Sequence, residues 1–284
     1  MITESRRGVL YPERLPEFHR VAPPRGLDFA VRWFWIPEWN LPAGVSSRQE
    51  ILPFPACNLV VEPSGVTVVG PPTRRSERVL TGSGWAVGAL LLPAAVPGVL
   101  ASLADPAGAA DRAGSVLGAA PDPARLRDAV APLAASELWE TVSAAMTDSG
   151  RAGDGRRAAA VAAVCDWLLA SVPEPDAEAA LANALAVALQ DPGVTRVDEL
   201  GPRLHSSTRT LQRIAARYFG ISLHAMIRRR RLQEGAERLR EHPELGIGEV
   251  AAELGYSDHA HFTTDFASVL GVTPSQFRAG AHLN

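Results

Sequence analysis

Apolar positions in the first hundred residues fall in short runs: Phe29–Trp35, Asn58–Glu62, Val66–Gly70 and Trp85–Leu92. Breakers separate them, among them Pro37, Pro42, Pro53, Pro55, Pro63, Gly65, Pro71, Pro72, Gly82 and Gly84. Strand-length runs at such spacing predict a small antiparallel sandwich or barrel over residues 17–100. Between 94 and 190 alanine and leucine dominate. The apolar spacing becomes helical over Arg125–Thr147, Ala158–Val172 and Ala177–Gln190, with Asp191-Pro192-Gly193 as a stop. The predicted fold class is therefore α+β. It comprises an N-terminal antiparallel β domain (1–120), an Ala-rich helical linker or dimerisation region (121–190) and an all-α C-terminal domain (191–284).

The C-terminal region carries one pattern twice. In the first unit, Val197, Leu200 and Leu204 lie on a short helix, His205-Ser206 turn the chain, and Ser207 is a good N-cap. Leu211, Ile214, Ala215 and Tyr218 then form a buried stripe at i, i+3, i+4, i+7, and Arg209, Gln212, Arg213 and Ala216 form the opposite face. In the second unit, Ile247, Val250, Ala251 and Leu254 precede a Gly255-Tyr256 turn, and Ser257 is read as the cap. Phe262, Phe266 and Val269 point inward, while His259, Ala260, Thr263 and Thr264 point outward. Leu223–Glu241 between the units reads as one helix about 28 Å long. That is close to the ~34 Å between successive major-groove faces on one side of a duplex. Thr273-Pro274-Ser275-Gln276 reads as a capping box that opens a last short helix.

Charge sharpens this picture. The net charge is −3, all 28 basic residues are arginine, and eleven of them fall between 196 and 240. That segment carries +7 and the rest of the chain −10. A basic segment in an acidic chain is the footprint of a polyanion partner. Arginine bonds guanine bidentately and glutamine bonds adenine, so the outer face of the first unit suits the major groove. The second unit differs: Glu244–Arg278 holds five acids and one arginine.

These residues resemble the C-terminal domain of AraC/XylS-type transcriptional regulators. The resemblance rests on Leu211-Gln212-Arg213, on Arg228–Arg231 with Ala236–Leu239, on Ile247 to Tyr256, on His261-Phe262 with Phe266, and on Gly271–Arg278. It implies a sequence-specific DNA-binding transcription factor. Ser207, Arg209, Gln212 and Arg213 are its expected DNA contacts on the first unit, and Ser257, His259, Ala260 and Thr264 on the second. Two departures stand out. Pro202 lies inside the first helix of unit one, and His205 occupies a turn where glycine is usual. The first hundred residues are similar to the sensor domain of a subset of these regulators, at Phe34-Trp35, Leu52–Val61, Val68–Gly70 and Gly88–Pro93. This implies a cupin-like β domain with an effector-binding role, for which Trp33, Trp35 and Trp85 are the candidate residues.

Other chemistries find little support. Cys57 and Cys165 are far apart and read as buried apolar residues. His259 and His261, two apart on a helix, point to opposite sides and make a poor chelate, so no metal or other cofactor is expected. No phosphate loop or nucleophile elbow occurs, so no enzymatic activity is expected. Met1–Arg7 lacks the apolar core of a signal peptide, and the uncharged stretch Trp85–Ala104 is broken by Gly88, Pro93, Pro97 and Gly98. The sequence reading is thus a cytoplasmic regulator that binds double-stranded DNA. A small-molecule effector, RNA polymerase and a second copy of the chain are the further partners it admits. The alternative is a small-molecule-binding or catalytic β domain carrying a vestigial DNA-binding module.

Overall fold

A computed structural model describes residues 17–51, 56–72, 75–102 and 126–281. Met1–Arg7, the Pro53–Pro55 stretch and the start of the expected helix at Arg125 lie outside the described residues. The strands are β1 (Glu17–Val21), β2 (Val31–Asn40), β3 (Ser46–Ile51), β4 (Asn58–Glu62), β5 (Gly65–Val69), β6 (Ser76–Thr81), β7 (Ser83–Trp85), β8 (Val87–Leu91) and β9 (Val130–Leu133). The helices are α1 (Val96–Ala101), α2 (Ser136–Thr147), α3 (Gly153–Ser171), α4 (Ala177–Ala188), α5 (Leu200–Arg203), α6 (Thr208–Ile214), α7 (Leu223–Glu241), α8 (Ile247–Glu253), α9 (His259–Leu270) and α10 (Pro274–Ala281).

A seven-stranded antiparallel sheet runs β1-β2-β8-β4-β5-β9, with β7 also paired to β2. Strands β3 and β6 form a separate two-stranded ribbon. One face of the large sheet is apolar because alternate residues of its strands point the same way. Phe34, Ile36, Leu59, Val61, Val68, Ala89 and Leu91 meet Leu138, Val142, Val161, Val164 and Leu168 of α2 and α3 in one buried core. Glu38 pins α3 to β2, accepting from Arg157 at 2.6 Å and from Arg156 at 3.3 Å.

Two sequence expectations change here. Residues 125–147 do not form one helix: Val130–Leu133 is strand β9, paired to β5, and helix begins at Ser136. Pro132 cannot donate to a ladder, but β9 lies at the edge of the sheet, where proline is tolerated. Nor are 121–190 a separate linker. Helices α2 and α3 share the core of the sheet, while Ala182 and Leu185 of α4 pack with Leu211 and Ile214 of α6. The boundaries at 120 and 190 therefore cut across two cores.

A third core joins α7 to the last three helices through Leu232, Ala236, Leu239, Val250, Phe262, Phe266 and Phe277. The ring pairs Phe262–Phe266 and Phe266–Phe277 lie 5.4 and 5.7 Å apart. Helix α7 spans the expected Leu223–Glu241, with Ser222 as its N-cap, and its buried residues contribute to both C-terminal cores.

Candidate nucleic-acid interface

Both units form helix-turn-helix motifs. In the first, a 3₁₀ turn (Val197–Glu199) leads into α5, and Ser207 caps α6 by accepting from the Thr210 amide at 3.1 Å. The turn between them places His205 at φ 46°, the left-handed conformation anticipated for this position. In the second unit Gly255 takes the matching place at φ 74° without the steric cost that a side chain brings. The capping of α9 departs from expectation. Asp258, not Ser257, is the N-cap, accepting from the His261 amide at 2.7 Å, and Ser257 donates to Asp258 instead. A carboxylate accepts more strongly than a hydroxyl, and the His261 amide, with the Ser257 hydroxyl next, holds the Asp258 carboxyl below the usual 3.8. Ser257 is thus a support for the cap.

The expected contact residues are presented as the periodicity requires. Arg209, Gln212, Arg213 and Ala216 are exposed, and so are His259, Ala260 and Thr264, while Leu211, Ile214, Phe262 and Phe266 are fully buried. The two faces hang from the ends of a single 19-residue helix. Their electrostatics differ. Arg209 makes no ion pair among the described residues. Arg213 and Arg217 both donate to Glu178 of α4, at 2.7 and 2.5 Å. Sequence reading missed Glu178, because an acid in the first turn of a helix is ordinarily placed there by the helix dipole.

The run Arg228–Arg231 is not the phosphate-facing patch that its charge suggests. Arg228 reaches Asp265 at 2.8 Å and Ser268 at 2.6 Å. Arg230, 5% exposed, bonds the Val194 carbonyl at 2.7 Å and Glu234 at 2.9 Å. Arg231 stacks on the Tyr256 ring, its guanidinium carbon 3.9 Å from the centroid. Arg229 is buried, with desolvation pushing its pKa down. Four consecutive residues on a helix sweep all its sides, so packing α7 against two units must bury some of them. Guanidinium groups are suited to this because they can stack and bond together.

The three tryptophans proposed for an effector are not brought together. Trp33 and Trp35 alternate onto the sheet face away from α2 and α3, whereas Trp85 belongs to the helix-covered core. Trp35 packs directly on Gly88, where an added Cβ would stand 2.0 Å from the ring, and its indole donates to Asn58 at 3.0 Å. Trp33 is stacked by Arg20 and Arg32 at 4.5 and 4.9 Å. A cavity of about 30 Å³ lies between the sheet and the first helix-turn-helix unit, among Arg32, Cys57, Leu92, Leu189, Tyr218 and Met226. It has room for water but not for a drug-sized ligand. Cys57 and Cys165 are buried, which pushes their thiols up to about 12 and about 11. Glu17, His19 and Glu38 come within ligating distance of one another, a grouping not read from the sequence, and Arg157 pairs with both carboxylates. No helix among the described residues is long and apolar enough to cross a membrane.

Residues 200–280 match the family model of a helix-turn-helix domain, and residues 19–106 match a domain of unknown function, DUF6597. The probable transcription factor PqrA of Proteus vulgaris is 34% identical over 83 residues, which are 29% of this chain and 67% of that protein. The uncharacterized HTH-type transcriptional regulator YfiF of Bacillus subtilis is 31% identical over 84 residues, 30% of this chain but 26% of that protein. The Msm operon regulatory protein of Streptococcus mutans is 30% identical over 83 residues, 29% of this chain and 30% of that protein. Among solved structures, ToxT from Vibrio cholerae O395 aligns over 94% of this chain and 97% of its own at 10% identity and a TM-score of 0.40. The C-terminal domain of AraT from Geobacillus stearothermophilus aligns over 36% of this chain and 84% of its own at 25% identity and a TM-score of 0.31. With two capped helix-turn-helix units on one spacer helix and two thirds of PqrA matched, the chain belongs to the AraC/XylS-type helix-turn-helix transcriptional regulators.

Proposed function

We propose that the protein is a cytoplasmic transcription regulator that reads double-stranded DNA with α6 and α9. The observation that carries this is the pair of outward faces, Arg209, Gln212 and Arg213 on one unit and His259, Ala260 and Thr264 on the other. Both are displayed on helices whose opposite stripes are locked in cores. Ser207 sits at the opening of α6, where amide groups and a hydroxyl suit a phosphate, whereas at the opening of α9 the Asp258 carboxylate holds the His261 amide and Ser257 is the contact offered beside it. The first unit is the dominant reader, because it carries Arg209 and Gln212 while the second offers uncharged groups and histidines. The sensing half comprises the sheet with α1–α3, and the reading half runs from α4 to α10. An apolar or aromatic effector would lie on the Trp33–Trp35 face, and the role of the protein is binding without catalysis. Pairing of two copies and contact with RNA polymerase belong to the same reading. Selection from random duplex oligonucleotides with the full chain is the test. An enriched motif supports the reading, and failure to enrich any motif, with or without candidate effectors, would overturn it.

A further inference from the structure

Arg213 and Arg217 stand one turn apart on the exposed side of the first reading helix and its π-helical continuation. Both are held by one carboxylate. Arg213 Nη1 donates to Glu178 Oε2 at 2.7 Å, and Arg217 Nη1 donates to Glu178 Oε1 at 2.5 Å. Each carboxylate oxygen is thus taken by a different guanidinium. The glutamate side chain is 25% exposed, against 56% and 62% for the arginines, so the carboxylate is the anchored member of the trio.

Its anchoring comes from α4, which is fastened on two sides. Asp176 caps the helix through the Ala179 amide at 2.8 Å, and Ala182 and Leu185 pack with Leu211 and Ile214 of α6. On the other side Asn183 accepts from the Ala94 amide at 2.9 Å and donates to the Phe29 carbonyl at 2.7 Å, two residues before β2 begins. The helix that presents Glu178 to the reading face is therefore tied to the sheet that carries Trp33 and Trp35.

We propose that Glu178 is an autoinhibitory clasp on the DNA-reading face, released when α4 shifts. The proposal rests on α6 being the reader. A carboxylate that occupies Arg213 and Arg217 competes with the phosphates and guanine edges those groups would otherwise bond, and its charge repels the backbone. The clasped form lowers apparent affinity by the fraction of molecules in which the arginines are engaged. Arg209, one turn earlier and unclasped, remains available for the first encounter. Asn183 supplies the route by which a displacement of β2 reaches the clasp.

The test is fluorescence anisotropy with the full chain and a duplex selected by the wild type. Glu178→Gln removes the charge and keeps the size. Two half-exposed ion pairs correspond to an expected tightening of roughly three- to tenfold at moderate salt. Glu178→Asp keeps the charge but cannot span both arginines, and it tightens binding less. In an Arg213→Ala/Arg217→Ala background, Glu178→Gln changes nothing. If Glu178→Gln leaves affinity unchanged or weakens it while Arg213→Ala/Arg217→Ala loses binding, the clasp is wrong and the reader stands. If the double alanine variant binds the selected duplex as the wild type does, the reader assignment falls and the clasp with it. Thermal melts of each variant separate these outcomes from loss of fold.

Discussion

Arg230→Ala separates the two meanings of the arginine run. The side chain is 5% exposed, ties the spacer helix to the entry of the first unit through the Val194 carbonyl at 2.7 Å, and pairs with Glu234 one turn on in the same helix at 2.9 Å. Truncation leaves a carbonyl without its donor and a mostly buried carboxylate, 16% exposed, without its partner. An orphaned buried acceptor costs about 1–3 kcal/mol, and breaking a buried ion pair from one side about 3–5 kcal/mol. Water reaching the new gap offsets part of this, so a loss of about 3 kcal/mol is expected. Urea denaturation followed by circular dichroism measures it. Were Arg230 a phosphate ligand instead, the variant would keep its stability, and the slope of log affinity against log salt would flatten by about 0.9. An unchanged urea midpoint together with a flattened salt slope would refute the structural role.

Arg209→Ala, which breaks no ion pair among the described residues, should weaken specific binding by roughly 1–3 kcal/mol. Arg213→Ala should cost less, because its bond to DNA first displaces Glu178; anisotropy titrations showing the reverse order would contradict this. Gly88→Ala should destabilise the sheet by about 1–3 kcal/mol, since the new methyl overlaps the Trp35 ring, and the tryptophan emission should shift; an unaltered melt and spectrum would count against the packing. Asp258 has its pKa lowered by bonds present only in the fold, so its capping contribution is complete above 3.8 and disappears as pH falls through the lowered value. Asp258→Asn keeps a cap that does not titrate, so its difference from the wild type at pH 7 should shrink as pH falls below 3.8 and through the lowered value. A constant difference in melting temperature across that range would exclude the linkage.

Local periodicity was enough to determine the reading half. The stripe of Leu211, Ile214, Ala215 and Tyr218 and that of Phe262, Phe266 and Val269 are buried as spaced, α7 covers Leu223–Glu241, and His205 adopts positive φ. Helix faces depend on residues three and four apart, so a single stretch of chain contains the information. Where each arginine points was decided by tertiary structure. Arg228–Arg231 look like one basic patch along the chain, yet their partners Asp265, Ser268, Val194 and Tyr256 arrive from other elements, and only Glu234, one turn on from Arg230, is a neighbour on the same helix. Strand β9 likewise became a strand because β5 offered an open edge, although the surrounding Arg125–Thr147 reads as one helix, with Pro132 the one local signal against it. Glu178 is an ordinary first-turn acid until α6 packs beside it and places two guanidinium groups against its oxygens. Helical stripes are written in short-range spacing, whereas ion pairs and sheet edges depend on which distant segments the cores bring together.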